Sequence, residues 1–214
     1  KTAENIAREF NISREEQDQF SLDSHLNAIK ARDAGFFNDE IISVQLPTEY
    51  EKTISIDNGP RNGQSIDALK KLNPYFDRKY GTVTVGSSSQ ITDGAAATLL
   101  MRESTAKERG VKPLGYLNGF SYAGCDPRLM GMGPTYAAHR LFKSKNMSMD
   151  HVDLVEINEA FAAQVLGNVY AFESESFAKD KLRLALMIGK MFTQSSFLWK
   201  FAYKVVFSKV HQKT

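Results

Sequence analysis

The residues best suited to chemistry stand at a joint. Asn158 and Glu159 follow the apolar run 152–157 and precede an alanine-rich stretch, Ala160-Phe161-Ala162-Ala163-Gln164-Val165-Leu166. A side-chain amide at such a turn serves either of two ends. Its oxygen can accept a backbone N–H and cap the coming helix. Alternatively the amide can fix a water or a ligand oxygen on which negative charge develops, because α/β folds place ligands where the chain leaves the carboxyl end of a strand. Glu159, as a first-turn residue, suits the helix dipole. Gly86-Ser87-Ser88-Ser89-Gln90 offers amides and hydroxyls without bulk, fitting either a plain turn or a polar linear ligand. Gly131-Met132-Gly133-Pro134 brings backbone close to a neighbour, and close packing explains it without a nucleotide. Cys125 reads as a small buried hydrophobe, with no base beside it. His25, His139, His151 and His211 lack the spacing of metal ligands, so no metal site is expected.

The elements that must position these groups alternate in type. Ser13-Arg14-Glu15-Glu16 has the spacing of a capping box, and a helix over 13–34 is closed by Gly35. A shorter helix over 1–10 precedes it. Residues 41–46 read as a strand stopped by Pro47, and Ser65 caps a short helix ending near Leu72. The β-branched run 81–86, the apolar 95–101, and the segments 114–122 and 152–157 are further strand candidates. Helices are expected over 104–109 and from Pro134 to about Lys143. Strands alternating with helices predict a layered α/β core.

Bulk composition narrows the function. The 214 residues are 42% hydrophobic and carry a net charge of +2, so no polyanionic partner such as nucleic acid is indicated. One cysteine rules out an internal disulfide and a Cys-rich zinc site. No secretory signal pattern is visible at Lys1-Thr2, and the protein is not expected to be secreted. From Lys181 onward there is no Asp or Glu, and basic residues punctuate an aromatic sequence that reads as an atypical tail. That tail could lie on a membrane surface through its cations and aromatic rings.

Several ordered stretches together resemble the thiolase family, enzymes that cleave or condense 3-ketoacyl chains on coenzyme A. They are Thr2-Ala3-Glu4-Asn5-Ile6-Ala7, Ser13-Arg14-Glu15-Glu16-Gln17-Asp18, Gly81-Thr82-Val83-Thr84, Thr92-Asp93-Gly94-Ala95-Ala96-Ala97, Met130-Gly131-Met132-Gly133-Pro134 and Asn158-Glu159-Ala160-Phe161-Ala162. The stretch 168–178 looks most like the thiolases that partner a multifunctional β-oxidation enzyme. The resemblance implies an incomplete layered αβαβα fold: a loop domain over 1–91, the closing segment of the first core half over 92–113, and the first part of the second half over 114–182. Residues 183–214 fall outside it.

The resemblance also implies roles. Asn158 looks like the asparagine that positions an oxyanion-hole water. Phe76, Phe161 and Ser89 look like contacts along a pantetheine arm, Arg61 like the arginine near the nucleotide end of coenzyme A, and Met130 like a wall of the acyl site. Gln90 stands where the family has a glycine. The family's two cysteine motifs and its Gly-His-Pro motif do not occur in these residues, and Cys125 belongs to neither cysteine motif. The expected function is therefore that of a fragment of a 3-ketoacyl-CoA thiolase, inactive alone, with acyl-CoA and coenzyme A as substrates and no permanently bound cofactor. The parent is expected to be homodimeric, cytoplasmic in a bacterium or mitochondrial in a eukaryote. Two other classes fit the residues: a non-catalytic acyl-CoA or lipid-carrier module, and an interaction protein using its tail on a membrane or partner.

Overall fold

The computed structural model describes residues 1–47 and 49–174. The atypical tail, with its expected membrane contact, lies outside the described residues.

Helix α1 (Thr2–Glu9) buries Ala3, Ile6 and Ala7 on one face. Helix α2 (Arg14–Asp33) begins with the expected capping box: Ser13 Oγ accepts from the Glu16 amide at 3.1 Å, and the Ser13 amide donates to the Glu16 carboxylate at 2.7 Å. It ends at Ala34, and Gly35 follows with φ +76°, the left-handed backbone that glycine adopts without strain. Strand β1 (Val44–Leu46) is shorter than expected and pairs antiparallel with β2 (Glu49–Ile54), a strand the polar sequence concealed. Helix α3 (Ile66–Lys70) has Ser65 as its cap, accepting from the Ala68 amide at 3.3 Å. Helix α4 (Glu103–Glu108) and helix α5 (Gly133–Lys145) lie where helices were expected, to within two residues at each end.

The joint at 158 differs. Helix α6 (Ala162–Glu173) has Phe161 at its N-cap, so Asn158 caps nothing and Glu159 lies outside the first turn. Two short 3₁₀ segments, Pro127–Met132 and Met149–His151, were not anticipated.

The β-branched run 81–86 is not a strand, for a visible reason. Glu4, buried on α1, accepts from the amides of Thr82 and Val83, each at 3.0 Å, while Gln17 donates to the Thr82 hydroxyl at 2.9 Å. The Glu4 carboxylate meets the backbone demand that a ladder would have met, and Gln17 holds the Thr82 side chain beside it. A Cβ at Gly81 would stand 2.4 Å from the Glu4 carboxylate, so glycine permits that approach. Segments 95–101, 114–122 and 152–157 likewise form no strand. β-propensity expresses packing on a pleated surface beside a partner, and among the described residues no partner strand adjoins them. Leu99, Leu100 and Leu114 are exposed in consequence.

The core gathers where α1, α6 and the 3₁₀ segment Pro127–Met132 meet. Ile6, fully buried, wedges between Gly131 and Gly167: a Cβ on either glycine would come within 2.7 Å and 2.4 Å of it, respectively. Beside the wedge, Asn168 accepts from the Thr135 amide at 3.1 Å and hydroxyl at 2.6 Å. Its NH₂ donates to the carbonyls of Gly131 at 2.8 Å and Gln164 at 2.7 Å. All four hydrogen bonds of this buried amide are made.

Candidate functional site

A cleft of about 600 Å³ opens between α1, α5 and the turn that precedes α6. Its wall is largely apolar, with Ile6, Met130, Leu141, Ile157 and Phe161, and Asn158 supplies an amide.

Each wall residue is held by identifiable chemistry. Met130 rides on the Pro127–Met132 segment, whose start is fixed by the Asp126 carboxylate accepting from the Arg128 amide at 2.9 Å. The same carboxylate pairs with the Arg128 guanidinium, which holds Asp126 below the usual carboxylate range, chiefly through hydrogen bonding. Phe161 is pinned from the other side of the chain. It forms an isolated antiparallel bridge with Ser88; the Ser89 amide donates to the Ala160 carbonyl at 2.9 Å, and the Ala162 amide to the Ser87 carbonyl at 3.0 Å. Phe76 stacks edge-on against Phe161, ring centres 5.9 Å apart at 73°. Its neighbour Tyr75 donates from its backbone to the Val83 carbonyl at 2.9 Å, tying that ring to the loop pinned by Glu4.

Asn158 is exposed in the cleft wall and makes no hydrogen bond to any described residue. Glu159 turns the other way, toward α2, where the deeply buried Ser24 hydroxyl is hydrogen-bonded to its carboxyl group. Burial pushes the Glu159 carboxyl above its ordinary range, the Ser24 hydrogen bond opposes that, and the Glu156 charge adds to it.

The structure thus brings Phe76, Ser89, Met130, Asn158 and Phe161 into one neighbourhood. Arg61 does not line the cleft: it is exposed on its loop, with its backbone amide and carbonyl 3.1 and 2.9 Å from Nε2 of His25. Cys125 is half-buried rather than buried, and its Sγ makes only a long 3.9 Å approach to the Met130 carbonyl. Gln90, standing where a family glycine was expected, packs its side chain against Gly59. Ser24 and Ile6 are the participants that sequence reasoning missed. Both lie on helix faces whose partners come from far along the chain, and spacing within a helix carries no sign of them.

Two family profiles match the chain: "Thiolase, N-terminal domain" over residues 1–104 and "Thiolase, C-terminal domain" over residues 111–189. Among curated relatives, 3-ketoacyl-CoA thiolases of Shewanella loihica and Photorhabdus laumondii are each 42% identical over 191 residues, which is 89% of this chain and 44% of theirs. The chain therefore spans less than half the length of these relatives. Among solved structures, the dimeric peroxisomal thiolase of Saccharomyces cerevisiae is 35% identical with TM-score 0.76, matched over 91% of this chain and 45% of that one. Human mitochondrial 3-ketoacyl-CoA thiolase, solved in complex with CoA, is 37% identical with TM-score 0.73, over 89% and 44%. Matched along most of its length by the two profiles and over about nine-tenths of it by solved thiolases, the chain belongs to the thiolase family and carries a partial thiolase α/β fold.

Proposed function

We propose that this chain is the coenzyme-A-cradling portion of a 3-ketoacyl-CoA thiolase of fatty-acid β-oxidation. Residues 1–91 act as its loop domain, 92–113 close the first core half, and 114–182 begin the second. The observation that carries this reading is the cleft wall shared by Phe161, Met130 and Asn158, with Phe76 packed edge-on against Phe161 and Ser89 bound to the same turn through Ala160. A largely apolar wall that carries the unpartnered amide of Asn158 suits a thioester on a pantetheine arm. The methylene and gem-dimethyl groups meet aromatic faces, and Asn158 fixes a water beside the thioester oxygen, where negative charge develops on attack. Arg61, exposed on its loop, serves the nucleotide end of the same ligand.

The parent reaction is attack of a thiolate on a 3-ketoacyl thioester, with release of acetyl-CoA and transfer of the shortened acyl group to coenzyme A. The parent is proposed to be a homodimer that pairs with a multifunctional β-oxidation subunit. The described residues supply the cradle, and among them none that could act as a base is hydrogen-bonded to Cys125.

Titration calorimetry of the chain with coenzyme A tests the reading. Micromolar binding is expected, weakened about tenfold by Phe161→Ala, since losing a buried aromatic contact costs on the order of 1.4 kcal/mol or more. Met130→Ala, at a half-exposed position whose loss does not threaten folding, should weaken binding by a smaller factor. No detectable binding by the intact chain would overturn the proposal. Acetoacetyl-CoA with coenzyme A should give no thiolysis; turnover abolished by Cys125→Ala would overturn the role denied to that cysteine.

A further inference from the structure

We infer that Glu159 is a positioning residue for Asn158, anchoring the Asn158 turn to helix α2 through the hydroxyl of Ser24; the inference rests on the oxyanion role proposed above.

The argument starts from what holds Asn158 in place. The chain approaches from residues 152–157, which belong to no ladder. Asn158 itself has no hydrogen-bonding partner among the described residues, so its amide points where the backbone points it. The main chain is next fixed at Ala160, whose carbonyl accepts from Ser89, and at Ala162, whose amide donates to Ser87. These bonds secure the C-terminal side of the turn. On the near side the first anchor after Asn158 is the Glu159 side chain.

That anchor is well placed to be rigid. Ser24 is 5% exposed and sits in the middle of a helix of 20 residues that is capped at its start by a reciprocal box. Phe20, Ser21 and His25 of α2 and Ser87 and Ser88 of the serine loop line one small cavity with Glu159. Asn158 and Glu159 face different spaces: Glu159 lines this small cavity and bonds Ser24, while Asn158 lines the cleft. A change at Glu159 therefore acts on the amide one residue away without touching the ligand. The second consequence is selectivity of direction: the clamp restrains the orientation of Asn158 and leaves the aromatic wall of Phe76 and Phe161 unaffected.

The test reads local order, which a loss of global stability would not single out. In chain labelled with ¹⁵N, the Asn158 backbone amide should have an order parameter near that of α6, about 0.85 on the ps–ns timescale, and Glu159→Ala and Ser24→Ala should each drop it below about 0.6 while α6 amides keep theirs. Glu159→Gln, which still accepts from the Ser24 hydroxyl, should restore the wild-type value. An Asn158 amide equally ordered in wild type and Glu159→Ala overturns the inference, as does failure of Glu159→Gln to rescue. Because this measurement uses no ligand, it is separate from the calorimetry. A chain that binds no coenzyme A but loses Asn158 order on Glu159→Ala would overturn the proposed function and leave the anchor standing. Loss of coenzyme A binding in Glu159→Ala with Asn158 order unchanged would overturn the anchor alone.

Discussion

Replacing Asn168 by alanine removes the most completely bonded polar side chain of the core, and the cost can be worked bond by bond. Four hydrogen bonds are lost, but they are unequal. The Gln164 carbonyl keeps its ordinary place in the α6 ladder, and the Thr135 hydroxyl can rotate toward another acceptor. The Thr135 amide, in the first turn of α5, and the Gly131 carbonyl have no such recourse, and each is left unpaired in a buried setting. An unmet buried group costs about 1–3 kcal/mol, so two imply about 2–6 kcal/mol, less if a water enters the vacated space. Urea unfolding followed by far-ultraviolet circular dichroism should show a stability loss in that range. Asn168→Asp sharpens the test. The amide oxygen must face the Thr135 N–H, which can only donate, so the NH₂ necessarily faces the two carbonyls. A carboxylate would keep the first contact and set charge against the other two, and Asn168→Asp should be no more stable than Asn168→Ala. A loss under about 1 kcal/mol for alanine, or a stable aspartate variant, would refute the network argument.

Gly167→Ala, which in an exposed helix would stabilise by up to about 1 kcal/mol, should here destabilise by about 1–3 kcal/mol because the new Cβ meets Ile6 at 2.4 Å; a double-mutant cycle with Ile6→Ala should recover much of the loss. The Tyr170 hydroxyl donates to the Glu16 carboxylate, and that bond chiefly pushes the phenol up to about 12 while holding Glu16 below its ordinary value. The contribution of the pair is therefore present from above the ordinary Glu range to about pH 10. It is lost as pH rises from 10 toward 12 and as Glu16 protonates in acid, so the stability difference between wild type and Tyr170→Phe, no more than about 1 kcal/mol for this exposed pair, should vanish at both extremes. The unpaired segments 95–101 and 114–122, with Leu99, Leu100 and Leu114 exposed, should promote association. Size-exclusion chromatography should show concentration-dependent assembly, and a monomer at all concentrations would contradict this.

The helices were legible because their signals are local. The reciprocal Ser13–Glu16 box, the Ser65 cap and the positive φ at Gly35 are each decided within four residues. Of the strands only β1 was, and shorter than expected, because a β-branched run becomes a strand only beside a partner, and at 82–83 a glutamate from α1 occupies the amides instead. The Asn158 turn shows both sides of the matter. Its residue types marked it as a site, yet the same residues equally fitted a helix cap, and only the start of α6 at Ala162 removed that role. Arg61 was named for the nucleotide end of coenzyme A, and it lies exposed on a loop outside the cleft lining, a position its own spacing in sequence did not disclose.

The bonds that assemble the cleft also bear on how the chain can be cut and joined. Asn5 to Arg128, Ser24 to Glu159 and Glu16 to Tyr170 link positions 123, 135 and 154 residues apart, while the stretch running from 92 to 113 supplies none of these bonds and no residue of the cleft lining. Continuity through that stretch then matters chiefly for bringing the two regions together, a closure entropy that grows only slowly with length. A protease nick there would leave a two-piece molecule still clasped around its groove, whereas shuffling either region alone into another scaffold would transfer half a groove and no pocket.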